Sequence, residues 1–327
     1  MGKLCKLLLG ISEGETTFHR RGFPVGNPEA RRHLERAARC FVSGYHWALL
    51  DARLPALVEN LNGVELEYRG FAYEGAAMGL ALLDFLTPWS GRRLEQFLNG
   101  PGEAHAYMVH VGAGWALARV PASIERMKRR LEPLLCWLAL DGYGFHEGFF
   151  KWRRYAAGGV PPKRVMGYGC RAFDQGLGRS LWFVSGAGVR SIPRLIEAFP
   201  EKRRSDLWSG VGLAAVYAGG IRAEALVELR ESAGDYRAEL AQGGAFAAKA
   251  RHRAGNLTDY ANAACEQVCG CSAEEAAKIT DLTLENLSQD GEQPEYEIWR
   301  RRIQSHFRSD RAGTYERPGR SGGEDSQ

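Results

Sequence analysis

No stretch of this sequence approaches the ~20 consecutive apolar residues of a membrane-spanning helix, so no span is expected. The opening run Lys3-Leu-Cys-Lys-Leu-Leu-Leu-Gly-Ile11 starts charged and turns apolar. It is too brief for a secretion signal, and no small-residue cleavage motif follows, so a cytoplasmic protein is expected. Charge of one sign is scarce as well. The 43 basic and 39 acidic residues leave +4, spread along the chain, which offers no clustered basic face for nucleic acid. Alternation of apolar and polar residues is rare, and Val64-Glu-Leu-Glu-Tyr68 is the one fair strand candidate.

Several catalytic motifs are missing. There is no phosphate-binding G-x-x-x-x-G-K-[ST] loop and no G-x-S-x-G elbow. Gly167-Tyr-Gly-Cys-Arg-Ala172 begins like a dinucleotide loop but lacks the third glycine and a preceding strand. The seven cysteines are odd in number in a long chain, which argues against a small disulfide scaffold. Cys265, Cys269 and Cys271 are spaced C-x3-C-x-C, without the second pair or the histidine of a zinc site. A di-metal carboxylate centre would want Glu-x-x-His pairs, and Glu74, Glu147 and the histidines form none. No metal and no cofactor is expected.

At 327 residues the chain suits two domains or one elongated array. Residues 1–27 read as an irregular segment, 28–307 as a helical repeat domain, and 308–327 as a polar, disordered tail. Asn27-Pro28-Glu29 has the order of an N-cap, an N1 proline and an acidic first turn. Beyond it the 3.6-residue period dominates. The forty glycines fall in a pattern. Ala72-Tyr-Glu74-Gly75, Met108-Val-His110-Val111, Phe145-His-Glu147-Gly148, Phe173-Asp-Gln175-Gly176, Leu207-Trp-Ser209-Gly210 and Leu240-Ala-Gln242-Gly243 share one signature. An apolar residue, a variable one and a polar one precede glycine in five of the six, and the polar positions lie 36, 37, 28, 34 and 33 residues apart.

That period is characteristic of helix–turn–helix repeats. Glycine costs about 1 kcal/mol against alanine within a helix, so its recurrence implies close helix contact. The expected fold is therefore all-α, an α/α superhelix of helix pairs with a tetratricopeptide-like period, with a compact helical bundle as the alternative. The second, more charged helices are expected at Ser123–Leu140, Ser191–Phe199, Ala223–Ser232 and Ala273–Leu287.

If the repeats stack, Glu74, His110, Glu147, Gln175, Ser209 and Gln242 form a ladder along a concave groove. Glu74, His110, His146, Glu147 and Asp174 are the candidate proton carriers. Tyr73, Tyr107, Phe145, Phe173, Gln175, Arg179, Trp208 and Gln242 are candidates for ligand contact, since an aromatic groove with few polar anchors suits a large apolar small molecule. Satisfied helix ends and interhelical hydrogen bonds are the plainer explanation of the same residues.

Longer motifs point further. Asp141-Gly-Tyr-Gly-Phe-His-Glu-Gly148, Arg171-Ala-Phe-Asp-Gln-Gly-Leu-Gly-Arg-Ser-Leu-Trp-Phe183, Asp206-Leu-Trp-Ser-Gly-Val-Gly-Leu213 and Ala245-Phe-Ala-Ala-Lys-Ala-Arg251 resemble a domain-of-unknown-function family, UnbL-like, over about residues 4–307. That family recurs in enediyne antibiotic gene clusters beside the iterative polyketide synthase. The resemblance implies a role in making an enediyne core from a polyene, and it brings no assigned catalytic residues. The protein would then act on or bind a hydrophobic polyene or enediyne intermediate by acid–base chemistry. Alternatively it is a non-catalytic scaffold or adaptor for other proteins of the cluster.

Overall fold

A computed structural model describes residues 2–24, 26–87, 89, 91–121, 123–287 and 292–309. Among them helices are the only regular elements, so the chain is all-α. Seven long helices form its frame: α1 (Pro28–Leu50), α2 (Leu66–Leu86), α3 (Ala106–Arg119), α4 (Leu138–Phe150), α5 (Gly169–Val184), α6 (Glu201–Ala218) and α7 (Arg237–Arg253). Each packs chiefly on the next in chain order. Short helices such as Leu54–Asn62, Arg93–Leu98, Ile192–Glu197 and Asp259–Val268 fill the connections. Two more helices follow, α8 (Ala273–Leu282) and α9 (Glu295–Ser309).

The start of α1 is as the sequence predicts. Asn27 Oδ1 accepts from the Glu29 amide at 2.8 Å, and Pro28 takes the first turn. The strand candidate at 64–68 is overturned, because Leu66 opens α2. Five alternating residues are too few to outvote the 3.6-residue period that follows them. The expected helix Ser123–Leu140 also divides. Ile124–Lys128 stops short, Pro133 intervenes, and α4 starts at Leu138. Residues 1–27, expected to be irregular, contain helical turns at Gly2–Leu9, Glu13–Thr16 and Phe18–Arg21. Of the expected tail, 310–327 lies outside the described residues.

Paired glycines hold the long helices together. In Gly112-Ala-Gly114, Gly142-Tyr-Gly144, Gly176-Leu-Gly178 and Gly210-Val-Gly212 the first glycine faces the preceding helix and the second the following one. A Cβ at Gly112 would fall on Glu74 O, at Gly142 on Val111 O, at Gly176 on Asp141 O and at Gly210 on Gln175 O. On the other side, Gly114 meets Ala139 O, Gly144 meets Phe173 O, Gly178 meets Leu207 O and Gly212 meets Leu240 O. Backbone thus touches backbone at every interface, the geometry in which Cα–H groups contact carbonyl oxygens. Helices so enclosed are apolar nearly all round, as α2 and α4 are.

The row curls until its far end meets its beginning. His33 Nε2 lies 2.7 Å from Ala218 O, Arg251 Nη2 donates to Glu67 O at 3.2 Å, and Arg253 pairs with Glu103 at 2.7 Å. The space inside is filled rather than left as an open groove. On one side α9 buries Tyr296, Trp299, Arg300 and Ile303. On the other, Ile11, Thr16 and Phe18 of the N-terminal segment are buried against the long helices.

Candidate functional site

The repeat ladder exists, but in a register different from that expected. Aligned on the glycine that meets the preceding helix, its rungs are Glu74, Val111, Asp141, Gln175, Ser209 and Gln242. Their spacings, 37, 30, 34, 34 and 33, are closer to regular than the expected ones. His110 and Glu147 therefore fall off the ladder, and Asp141 joins it. Both Asp141-Gly142 and Glu147-Gly148 fit a polar-then-glycine pattern, about 1.7 turns apart on the same helix. The Gly-x-Gly pair was the signal that would have found Asp141.

The rungs are buried and mostly engaged with one another. Gln175 Nε2 donates to Asp141 Oδ2 at 2.8 Å and to Tyr296 Oη at 3.2 Å. Ser209 Oγ donates to Gln242 Oε1 at 2.8 Å, which also accepts from Arg300 Nε at 3.2 Å. Arg300 continues to Asp206 at 2.8 Å and Glu297 at 3.3 Å. Gln175 and Gln242, expected to touch a ligand, thus seat α9. Both reach that helix of the same chain, although Gln242 Nε2 has no partner among the described residues.

Glu74 stands apart from that network. It receives a hydrogen bond from Trp115 Nε1 at 3.0 Å, and Arg179 Nη2 lies 3.8 Å away. Arg179 in turn donates to Asp141 and lies over the Phe145 ring, 5.0 Å from its centroid. Burial pushes the Glu74 carboxyl up to about 7, despite the opposing pull of Arg179 and Trp115. The nearby Asp141 charge adds to the rise.

Glu74 and Arg179 line a narrow apolar cavity with Phe41, Phe71, Trp115, Phe145, Phe149, Phe150 and Phe183. Phe145 meets Trp115 at 5.2 Å, Phe183 edge-on at 5.2 Å, and stacks on Phe149 at 6.0 Å. Ile11, Glu15 and Thr16 complete the lining. Their segment is clasped by Arg21, which pairs with Glu15 at 2.5 Å and donates to Phe149 O at 3.1 Å and Phe150 O at 2.5 Å. About 40 Å³ is open inside, enough for water and not for a larger molecule unless this cover moves.

The remaining candidates lie elsewhere. His110 has both ring nitrogens committed, Nδ1 to Ala106 O at 2.7 Å and Nε2 to the Glu132 amide at 3.2 Å. Burial holds its pKa down at about 4, so it is a neutral structural group on the wall of a polar groove of about 700 Å³. His146 sits 3.4 Å from Glu147 and packs edge-on to Trp115 at 5.5 Å. Glu147 is occupied by Lys151 Nζ at 2.8 Å and Tyr155 Oη at 3.3 Å. Asp174 takes two hydrogen bonds from Arg203, at 2.8 and 2.6 Å. Tyr73 stacks on His105 at 3.9 Å and donates to Asn62 at 3.0 Å, facing outward from Glu74's side of the helix. Tyr107 and Trp208 are buried outside the cavity lining, and Phe173 is enclosed by Tyr143 and Tyr155. Of the expected residues the structure brings together Glu74, Phe145 and Arg179. Phe41, Phe149 and Phe183 of the same cavity went unnoticed, although Phe145 and Phe149 are spaced one helical turn apart.

No group of three or more metal-ligating side chains occurs among the described residues, and none of their helices is long and apolar enough to cross a membrane. No curated protein and no solved structure matches this chain. A family model does, over residues 1–307, nearly the whole described length: the chain belongs to the family described as protein of unknown function (DUF1702).

Proposed function

We propose that the protein takes up a flat, unsaturated polyketide intermediate in enediyne core biosynthesis, with Glu74 as the acid–base group at the inner end of the aromatic cavity. The pathway rests on the motif resemblance. The observation that carries the chemistry is Glu74 itself, a carboxyl raised to about 7 inside a lining of seven aromatic side chains. An acid poised near neutrality gives and takes protons with little driving force lost either way. Aromatic faces suit a conjugated chain, which gains by stacking as well as by leaving water. Access requires displacement of Ile11 and Thr16, which cover the lining.

The test has two stages. Purified protein is titrated with a linear conjugated tetraene hydrocarbon, followed by its fluorescence. Wild type should bind, and Phe145→Ala should weaken binding by about tenfold. Binding by wild type of neither this hydrocarbon nor the carboxylic acid of equal length overturns the cavity assignment. In the producing strain Glu74→Gln should then abolish core product while polyene binding persists. Full product with that variant would remove the acid–base role and leave binding or scaffolding for partner enzymes of the cluster.

A further inference from the structure

Arg179 is not used up by its neighbours. It is 4% exposed, and its Nε–H has no hydrogen-bond acceptor among the described residues. Its contact with Glu74, at 3.8 Å, is too long for a good hydrogen bond. Only Asp141 is engaged directly. A buried guanidinium has five donors in one plane, and leaving them unmade is costly. Yet this one lies in an apolar cavity beside Phe145, where no protein group completes its set.

We infer that Arg179 is the anchor for a carboxylate at one end of the ligand, so that the cavity takes an acid-terminated polyene, head inward. This rests on the cavity assignment above and specifies its ligand. A carboxylate is planar and matches the guanidinium edge. Two other groups lie beside it. Asp141 on α4 accepts a hydrogen bond from Arg179, and Glu74 on α2, which lines the same cavity, donates to the incoming oxygen in its protonated form. A hydrocarbon end would leave all these donors unmet.

The experiment compares a conjugated tetraene fatty acid, its methyl ester and the tetraene hydrocarbon of equal length on the wild-type protein. The acid should bind at least about tenfold more tightly than the ester, as a charge-assisted pair against a neutral one. In Arg179→Met combined with Asp141→Asn, which avoids stranding a buried charge, that preference should vanish while hydrocarbon binding stays within about threefold. Equal binding of acid and ester by wild type overturns the anchor and leaves the cavity assignment standing. Failure of all three probes to bind removes both. An acid preference that survives in the double variant places the carboxylate elsewhere and also overturns the inference.

Discussion

Trp115 and Glu74 sit on adjoining long helices, and the indole N–H donates to Glu74 Oε1 at 3.0 Å out of contact with water. This bond favours the ionised carboxylate, and so does Arg179, yet the loss of hydration outweighs both. The interface glycines decide where this happens. Gly112 lets α3 approach the Glu74 carbonyl, which brings Trp115 within reach of the same residue's side chain.

Glu74 ties stability to pH. Its folded pKa of about 7 stands above the ordinary 4.5. The linked stabilisation is therefore complete below about pH 4.5 and is lost as pH rises through about 7. The gap corresponds to roughly 3 kcal/mol. Denaturation midpoints measured from about pH 5 to pH 8 should fall for wild type relative to Glu74→Gln, which lacks this titration. Parallel profiles would show that Glu74 does not titrate there.

The paired glycines should tolerate no methyl group. Gly210→Ala places its Cβ on Gln175 O and 2.7 Å from the Arg179 amide, so α5 and α6 must part. The gain in helix propensity of about 1 kcal/mol is outweighed, and the variant should lose about 2 kcal/mol or more. Gly63→Ala is the control. Its Cβ meets nothing nearer than 3.4 Å, and the change should stay within about 0.5 kcal/mol. Urea denaturation distinguishes the two.

Arg300 fastens α9. Arg300→Met would leave Asp206 and Glu297 buried with one cation fewer, at a cost of about 3–5 kcal/mol. Amide exchange should rise across Glu295–Ser309 before it rises in α3 or α4. Uniform exchange throughout would mean that α9 does not open separately.

Arg21 holds the cover over the cavity through Glu15 and the Phe149 and Phe150 carbonyls. Arg21→Ala should speed polyene association by about tenfold, since opening precedes binding. Exchange protection should fall at residues 11–21 and stay unchanged in α5 and α6. An unaltered association rate would place the route of access elsewhere.

Much of the frame was legible in the residues. The 3.6-residue period identified helices, Asn27-Pro28 marked the start of α1, and recurrent glycines pointed to close stacking, because each is a local property of the chain. The strand candidate at 64–68 failed where a five-residue pattern was set against a twenty-one-residue helix. The ladder slipped at two rungs because chemistry alone does not say which of Asp141 and Glu147 faces inward. The Gly142-x-Gly144 pair in the sequence does, and the Val111 carbonyl against Gly142 shows why.

Composition and periodicity by themselves determined an all-helical chain of repeated units joined through small residues. They determined little about its interior, because the curl of the row depends on how six successive interfaces add up. That sum brings Arg179 of α5 to Glu74 of α2, 105 positions away in the sequence, and sets α9 against Gln175 and Gln242. Tertiary packing alone decided that the polar rungs became a buried core, and that Glu74 lost the water that would have kept it an ordinary carboxylate.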